Sequence, residues 1–239
     1  MGNVLFQIAA AIAYAIKNDI VFSVQTATDN PFWNPLYLQH LANTDWIEGK
    51  EDVIIKEEKE FVYNKIEFSE EWREKQIVLD GYWQNEKYFN HIRNEILYLF
   101  NFPWELKNGV VSIHVRRGDY LVLTDKHPPV TKEWFEKAMS IFTNKEFKFF
   151  SDDIKWCKET FGGRDNISFS TNTSETEDLI EMSCCESHIC SASTFSWWGM
   201  WLNKNPDKRA IFPELWFQLG HGGFDTSDII PSWCEKLSL

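Results

Sequence analysis

The sequence predicts an α/β protein. Two observations carry that reading. From about residue 105 onward, short apolar runs of strand length alternate with helix-period segments, the pattern of parallel βαβ units joined by right-handed crossovers. Several of those apolar runs also end in small polar clusters, where open α/β sheets place their ligands.

The chain begins Met1-Gly2-Asn3 and runs into an alanine-rich apolar stretch, Leu5 to Ile16. This reads as a closely packed helix capped by Gly2 or Asn3 and stopped by Lys17-Asn18-Asp19. At about 12 residues it is shorter than the ~20 needed to span a membrane. It also lacks the basic flank and cleavage site of a signal peptide. Ile20 to Val24 reads as a strand. Residues 26–50, with Pro31 and Pro35, read as loop, and Glu51 to Lys75 as a charged, solvated face containing a short strand at Val53-Ile54-Ile55. Ile77 to Gln84 reads as a strand ending in a glycine turn. Asn85 caps an expected helix over 86–100, with Tyr88, Ile92, Ile96 and Leu99 on its apolar face. Phe102-Pro103-Trp104 then connects two expected domains, 1–104 and 105–239, with the last ~15 residues packing back on the first.

In the second half, strands are expected at 110–115, 147–150, 167–169, 188–190 and 210–213. Helices are expected at 131–142, 154–161, 174–185 and from Ser191 through Leu202, the first capped by Thr131 and the second stopped by Gly162-Gly163. Trp197, Trp198 and Trp201 read as core.

Three strand ends hold the candidate chemistry. Val110 to Ile113 leads into His114-Val115-Arg116-Arg117-Gly118-Asp119-Tyr120; Phe147 to Phe150 leads into Ser151-Asp152-Asp153; and His188 to Cys190 leads into Ser191-Ala192-Ser193-Thr194. In a parallel sheet all three fall on one edge. Arginine is always charged, and its planar fork suits phosphate oxygens. Ser193 and Thr194 at a helix start offer hydroxyls and free N–H groups to the same oxygens. An aspartate can read a guanine edge or a ribose. The set describes a nucleotide diphosphate site without a Gly-rich phosphate loop. The competing reading makes Arg116 and Asp119 a structural ion pair and leaves Arg117 solvated.

The rest of the composition narrows the classes. With a net charge of −12, the chain opposes nucleic-acid binding. Five cysteines, with no C-x-x-C, argue against a disulfide framework or zinc site and for reduced, buried thiols in the cytoplasm. Asp152-Asp153 lacks the D-x-D spacing of metal-dependent sugar transferases, so no metal is expected. The sequons at Asn166 and Asn172 read as chance matches.

His114-Val115-Arg116-Arg117-Gly118-Asp119-Tyr120 resembles the H-x-R-R-G-D-Y motif of the α-1,2-fucosyltransferases, glycosyltransferase family 11. The resemblance extends to Phe150-Ser151-Asp152-Asp153-Ile154, Trp156-Cys157, Asp178-Leu179, Met182-Ser183, and Ser193-Thr194-Phe195-Ser196-Trp197-Trp198-Gly199. Gly81-Tyr82-Trp83-Gln84 resembles the family's G-Y-x-Q segment. It implies a GT-B-type fold of two Rossmann-like domains facing a cleft. It also implies metal-independent transfer of L-fucose, with inversion, from GDP-fucose to the 2-hydroxyl of a terminal β-galactoside.

Carried over by the resemblance, Arg116 holds the β-phosphate with Arg117 as supporting charge. His114 lies near the nucleotide. Ser151, Asp152 and Asp153 lie on the guanine side, and Ser193, Thr194 and Phe195 line the diphosphate. Tyr82, Gln84 and Asp125 are expected at the acceptor. Asn3 is expected to orient its hydroxyl, and the proton acceptor is left open among Asp119, Asp125 and His127, with Asp119 favoured as orienter of the arginines. No cofactor beyond the donor is implied, and membrane association is peripheral at most. Where the family usually shows a strand and a G-G-L-G-N-Q-M-F-Q-like loop, this sequence carries Gly2-Asn3-Val4-Leu5-Phe6-Gln7. The missing strand raises an alternative, a catalytically impaired relative that binds GDP or a glycan.

Overall fold

The computed structural model describes residues 1–21, 52–100, 103–128 and 130–239. It divides into two compact units, Met1–Phe102 with Asp225–Pro231, and Pro103–Phe224 with Ser232–Leu239.

The first unit opens with helix α1, Gly2–Asn18, whose alanines and isoleucines are buried. The helix starts one residue earlier than a Gly2 or Asn3 cap allows: Met1 is its N-cap, without a side-chain bond, and Asn3 lies in its first turn. It stops where Asp19 takes a left-handed conformation, φ 50°, and its N–H returns to the carbonyls of Ala15 and Ile16. Of the strand expected at 20–24, residues 20 and 21 are irregular and the remainder lies outside the described residues, as does the 26–50 loop.

Strands β1 (Asp52–Lys56) and β2 (Gln76–Asp80) pair in parallel. β2 ends before Gly81, four residues short of the expected Gln84. Trp83, at φ 55°, turns the chain out of extended geometry. The helix expected over 86–100 is broken. Asn85 does cap, but it caps a 3-10 turn, Glu86–Tyr88; a second turn spans Asn90–Ile92, and α2 runs only from Arg93 to Phe100. Phe89, at φ −138°, interrupts the helical path between those turns. Its fully buried ring packs on Phe6 of α1 at 5.9 Å, a tertiary contact that overrides the local periodicity.

The second unit is a six-stranded, all-parallel sheet. Its strands are β3 (Lys107–Val115), β4 (Glu146–Ser151), β5 (Ile167–Phe169), β6 (Cys185–Ile189), β7 (Ala210–Pro213) and β8 (Glu235–Leu237). They lie in the order β5-β4-β3-β6-β7-β8. The helices between them are α3 (Lys132–Ser140), α4 (Ile154–Phe161), α5 (Glu175–Ser183) and α6 (Thr194–Trp201). Thr131, Asp153, Ser174 and Ser193 cap them, each accepting from an N–H of the first turn. The helix expected to reach Cys185 ends at Ser183 because β6 begins two residues on. β8 was not expected from its three short residues; it forms by pairing with β7. The chain's last eight residues thus join the second unit, and the returning segment in the first unit is 225–231.

β3 is buried on both faces, and its alternation sorts chemistry by side. Val111, Ile113 and Val115 pack with Trp134, Phe135 and Ala138 of α3 and Cys157 and Phe161 of α4. Ser112 and His114 point the other way. The tryptophans at 197, 198 and 201 are fully buried core, as expected. All five cysteines are free and buried, and burial pushes Cys157 up to about 11 and Cys185 to about 12.

Candidate functional site

Strand order fixes where a ligand can enter the second unit. From β3 the chain steps outward through β4 to β5. It then returns to the other side of β3 and steps through β6, β7 and β8. The direction reverses between β3 and β6, so the crevice opens at their carboxyl ends. There β3 ends in Arg116 and Arg117, β6 ends before Ser191 to Thr194, and neighbouring β4 ends in Ser151 to Asp153. The three polar clusters share one edge.

The two strands beside the crevice are stitched by two buried polar pairs. Ser112 Oγ lies 2.7 Å from His188 Nδ1, and His114 Nδ1 lies 2.7 Å from Ser191 Oγ. His188 is further fixed by Asn203. The Asn203 amide nitrogen donates to the Cys185 carbonyl while its oxygen accepts from the Asn205 N–H, so the nitrogen also faces His188 Nε2, at 2.7 Å. Nε2 must therefore accept, and the ring is neutral with its proton on Nδ1. Burial pushes both histidines down to about 3, assisted at His114 by the nearby Arg116 charge and at His188 by Lys208. His114 also contacts Phe195 at 5.3 Å.

The arginines are held in a carboxylate frame. Arg116 Nε donates to Asp119 at 3.0 Å, its Nη2 lies 2.8 Å from the same carboxylate, and its Nη1 lies 3.0 Å from Asp152. The backbone N–H of Arg117 donates to Asp152 at 2.9 Å and its Nε to Asp153 at 3.1 Å. The Arg117 guanidinium also lies 3.9 Å over the Trp156 ring, so it is not simply solvated. Asp153 additionally caps α4 through the Trp156 N–H; this bond and Arg117 lower its pKa. Ser151 Oγ donates to the Val115 carbonyl and accepts from the Asp153 N–H, tying the ends of β3 and β4 together. Asp152 and Asp153 thus act as anchors of the arginines, each carboxylate oxygen already accepting one bond and keeping a further acceptor site. The ion-pair reading of Arg116 with Asp119 also describes real geometry. Yet Arg116 keeps donors to spare, because a guanidinium carries five N–H groups and this one is about a third exposed.

Ser193 is buried and its hydroxyl accepts from the Phe195 N–H as the α6 cap; Thr194 and Phe195 are half-buried beside it. Tyr120 donates to the Ala192 carbonyl at 2.8 Å and stacks on His127, ring centroids 3.7 Å apart and nearly parallel. Burial drives His127 down to about 4 and raises the Tyr120 phenol. Asp125 is exposed.

Asn3, Tyr82 and Gln84 belong to the first unit, and the structure joins Asn3 to Gln84 while Tyr82 packs on Phe61. Buried Gln84 donates to Asn3 Oδ1 at 3.0 Å, Gln7 donates to the Gly81 carbonyl at 2.9 Å, and half-exposed Tyr82 stacks on Phe61 at 5.9 Å.

Some partners escaped the sequence reading. Ser191 was grouped with a helix start but holds His114 instead. Trp156, three residues after the Asp153 cap, was legible only as part of a motif. Glu57, which accepts from the N–H groups of Tyr82 and Trp83, is hidden by the charged run around it. Among the described residues, no group of three or more His, Cys, Asp or Glu is arranged to hold a metal ion. No described helix is long and apolar enough to cross a membrane.

An alpha-1,2-colitosyltransferase of Escherichia coli is 32% identical over 160 residues, covering 58% of this chain and 55% of its own length. The O-antigen biosynthesis glycosyltransferase WbnK, also of Escherichia coli, is 32% identical over 58% of this chain and 55% of its own. Galactoside 2-alpha-L-fucosyltransferase Sec1 of Mus musculus is 26% identical over 53% of this chain and 42% of its own. The chain spans about half the length of the curated relatives it matches. The crystal structure of POFUT1 in complex with GDP overlaps with a TM-score of 0.34 at 15% identity, over 59% of this chain and 55% of that one, too low to carry a structural comparison. The model of glycosyl transferase family 11 matches residues 50–213, from the first parallel pair through β7 and across both arginines. The chain belongs to glycosyl transferase family 11.

Proposed function

We propose that the chain transfers L-fucose from GDP-fucose to the 2-hydroxyl of a terminal β-galactoside, with inversion, in a GT-B-type arrangement. The observation that carries this reading is the placement of Arg116 and Arg117 at the end of β3, across the strand-order reversal from Ser191 to Thr194 at the end of β6. A nucleotide diphosphate is the ligand chemistry that suits that crevice.

As the glycosidic bond breaks, the sugar becomes oxocarbenium-like and the departing diphosphate gains negative charge. Arg116, pre-set by Asp119 and Asp152, offers its remaining N–H groups to that charge, and the N-terminus of α6 adds its dipole. Because the donors are already oriented, little reorganisation is needed at the moment of reaction. His114 and His127 are neutral near pH 7, so neither adds charge to the site. Asp119, engaged by Arg116, serves as orienter. The fixed guanidinium charge takes the place a divalent cation fills in metal-dependent transferases. On the acceptor side, Tyr82 offers a ring face to a sugar, and exposed Asn3 offers a polar side chain held by buried Gln84.

The test is incubation with GDP-fucose and lactose, following GDP release and the fucosylated product. Absence of both would count against the reading, and inhibition by UDP as strong as by GDP would count against the nucleotide. The 32% identity to a protein named for colitosyl transfer favours a second reading, in which a colitosyl donor replaces the fucosyl one. Faster turnover of the colitosyl donor on the same acceptor would establish it.

A further inference from the structure

Gly81 to Gln84 holds an unusual backbone. Trp83 sits at φ 55°, a left-handed conformation that a bulky residue adopts only when its surroundings impose it. Its indole is buried and meets Tyr88 edge-on at 5.3 Å. The facing loop carries a second such residue, Phe61 at φ 70°, whose ring stacks on Tyr82. Between the two lies Glu57. Its Oε2 accepts from the Tyr82 N–H at 2.7 Å and from the Trp83 N–H at 3.2 Å, and its own N–H donates to the Asp80 carbonyl. Gly81 is the residue that lets the carboxylate come so close, since a Cβ there would stand 2.5 Å from Glu57 Cβ and 2.8 Å from Oε2.

Directly after this clamp comes Gln84, whose amide donates to Asn3. Two bulky residues in left-handed backbone, flanking one half-buried carboxylate, concentrate strain where the chain presents Tyr82. Burial raises the Glu57 pKa against the pull of the Trp83 and Tyr82 N–H groups, so the turn is held by a carboxylate that burial disfavours. A carboxylate kept in such a place is explained by what it holds.

We propose that Glu57 is a positioning residue for the acceptor, fixing the Tyr82–Trp83 turn so that exposed Tyr82 meets a β-galactoside in one geometry. This rests on the acceptor role given to Tyr82 above. Glu57 itself touches no substrate in this account.

The test compares lactose and GDP affinities by calorimetry in the full chain. Glu57→Ala is expected to weaken lactose binding about tenfold or more, the effect of losing hydrogen bonds to a charged group, with GDP affinity unchanged. Glu57→Gln keeps an oxygen acceptor without the charge and is expected to fall between wild type and Glu57→Ala; it also serves if the alanine variant does not fold. Adding Glu57→Ala to Tyr82→Ala is expected to cost little further, because Glu57 acts through Tyr82. Unchanged lactose affinity in Glu57→Ala, equal loss of GDP and lactose binding in Glu57→Gln, or additive losses in the double variant would each overturn the assignment. So would a wild-type chain that does not bind lactose. A chain that binds lactose but makes no product from GDP-fucose overturns the fucosyl-transfer reading and leaves the affinity comparison to decide Glu57.

Discussion

The Asp152 carboxylate serves both arginines at once: one oxygen lies 3.0 Å from the Arg116 guanidinium, and the other accepts the Arg117 backbone N–H at 2.9 Å. With Asp119 and Asp153 it turns a pair of like charges into a frame with fixed directions. Freed of that frame, two adjacent guanidiniums would repel and wander. Within it, Arg116 is held from two sides and still has donors left for a ligand.

Arg116→Ala is therefore expected to lower turnover by about 10²–10³-fold and to weaken GDP binding, the usual loss when one preorganised donor to a developing charge is removed. Arg116→Lys is expected to rescue little, because an ammonium cannot span Asp119 and Asp152 as the planar fork does. Steady-state kinetics and GDP titration check both. GDP affinity unchanged in Arg116→Ala would remove the phosphate assignment.

Gly118 makes the frame possible. A Cβ at this position would lie 2.6 Å from Asp152 Oδ2, the oxygen that meets Arg116. Gly118→Ala is expected to displace that carboxylate and reduce turnover about tenfold or more, since small misplacements at a reacting centre are costly. Loss of stability is the competing effect. Thermal melting alongside kinetics separates the two effects; full activity in Gly118→Ala would mean that Asp152 does not set the Arg116 geometry.

If guanidinium charge does the work of a divalent ion, excess EDTA is expected to leave the initial rate of GDP release unchanged, and added magnesium or manganese to give no gain. A rate abolished by chelation and restored by a divalent cation would contradict this.

Much of the second unit could be read from the sequence because β3, β4 and β7 carry buried apolar runs and the helices carry side-chain caps; β6, Cys185–Ile189, holds Glu186, Ser187 and His188, so only its end was visible in the 188–190 expectation. The ends of those strands followed directly, and with them the shared edge of Arg116, Asp152 and Ser193. What the sequence withheld were facts of tertiary contact. β8 needs β7 to exist. The 86–100 helix has sound periodicity, yet Phe89 leaves the helical path to pack on Phe6. The chemistry of Asp152 and Asp153 is visible in the sequence, but their hold on the arginines is not. Glu57 is one glutamate among many in a charged run until β1 and β2 pair and carry it beside Tyr82.

Three buried histidines tie stability to pH. His114 and His188 are held at about 3 and His127 at about 4, all below the unfolded value near 6.5. Above pH 6.5 neither state binds these protons, and the full stability is present. Between 6.5 and roughly 3–4 the unfolded chain takes them up and the native chain does not, so stability falls as pH falls. Each such histidine contributes a slope of about 1.4 kcal/mol per pH unit in that window. His188 should contribute fully, because protonating it would set its Nε2–H against the Asn203 amide nitrogen, whose orientation is locked by Cys185 and Asn205. Urea unfolding at pH 7, 6 and 5 is expected to show a falling midpoint. His188→Asn, whatever its stability at pH 7, is expected to flatten that dependence by about 2 kcal/mol in total between pH 7 and pH 5. A midpoint independent of pH over this range, or a slope unchanged in His188→Asn, would show that the ring is not held neutral in the native state.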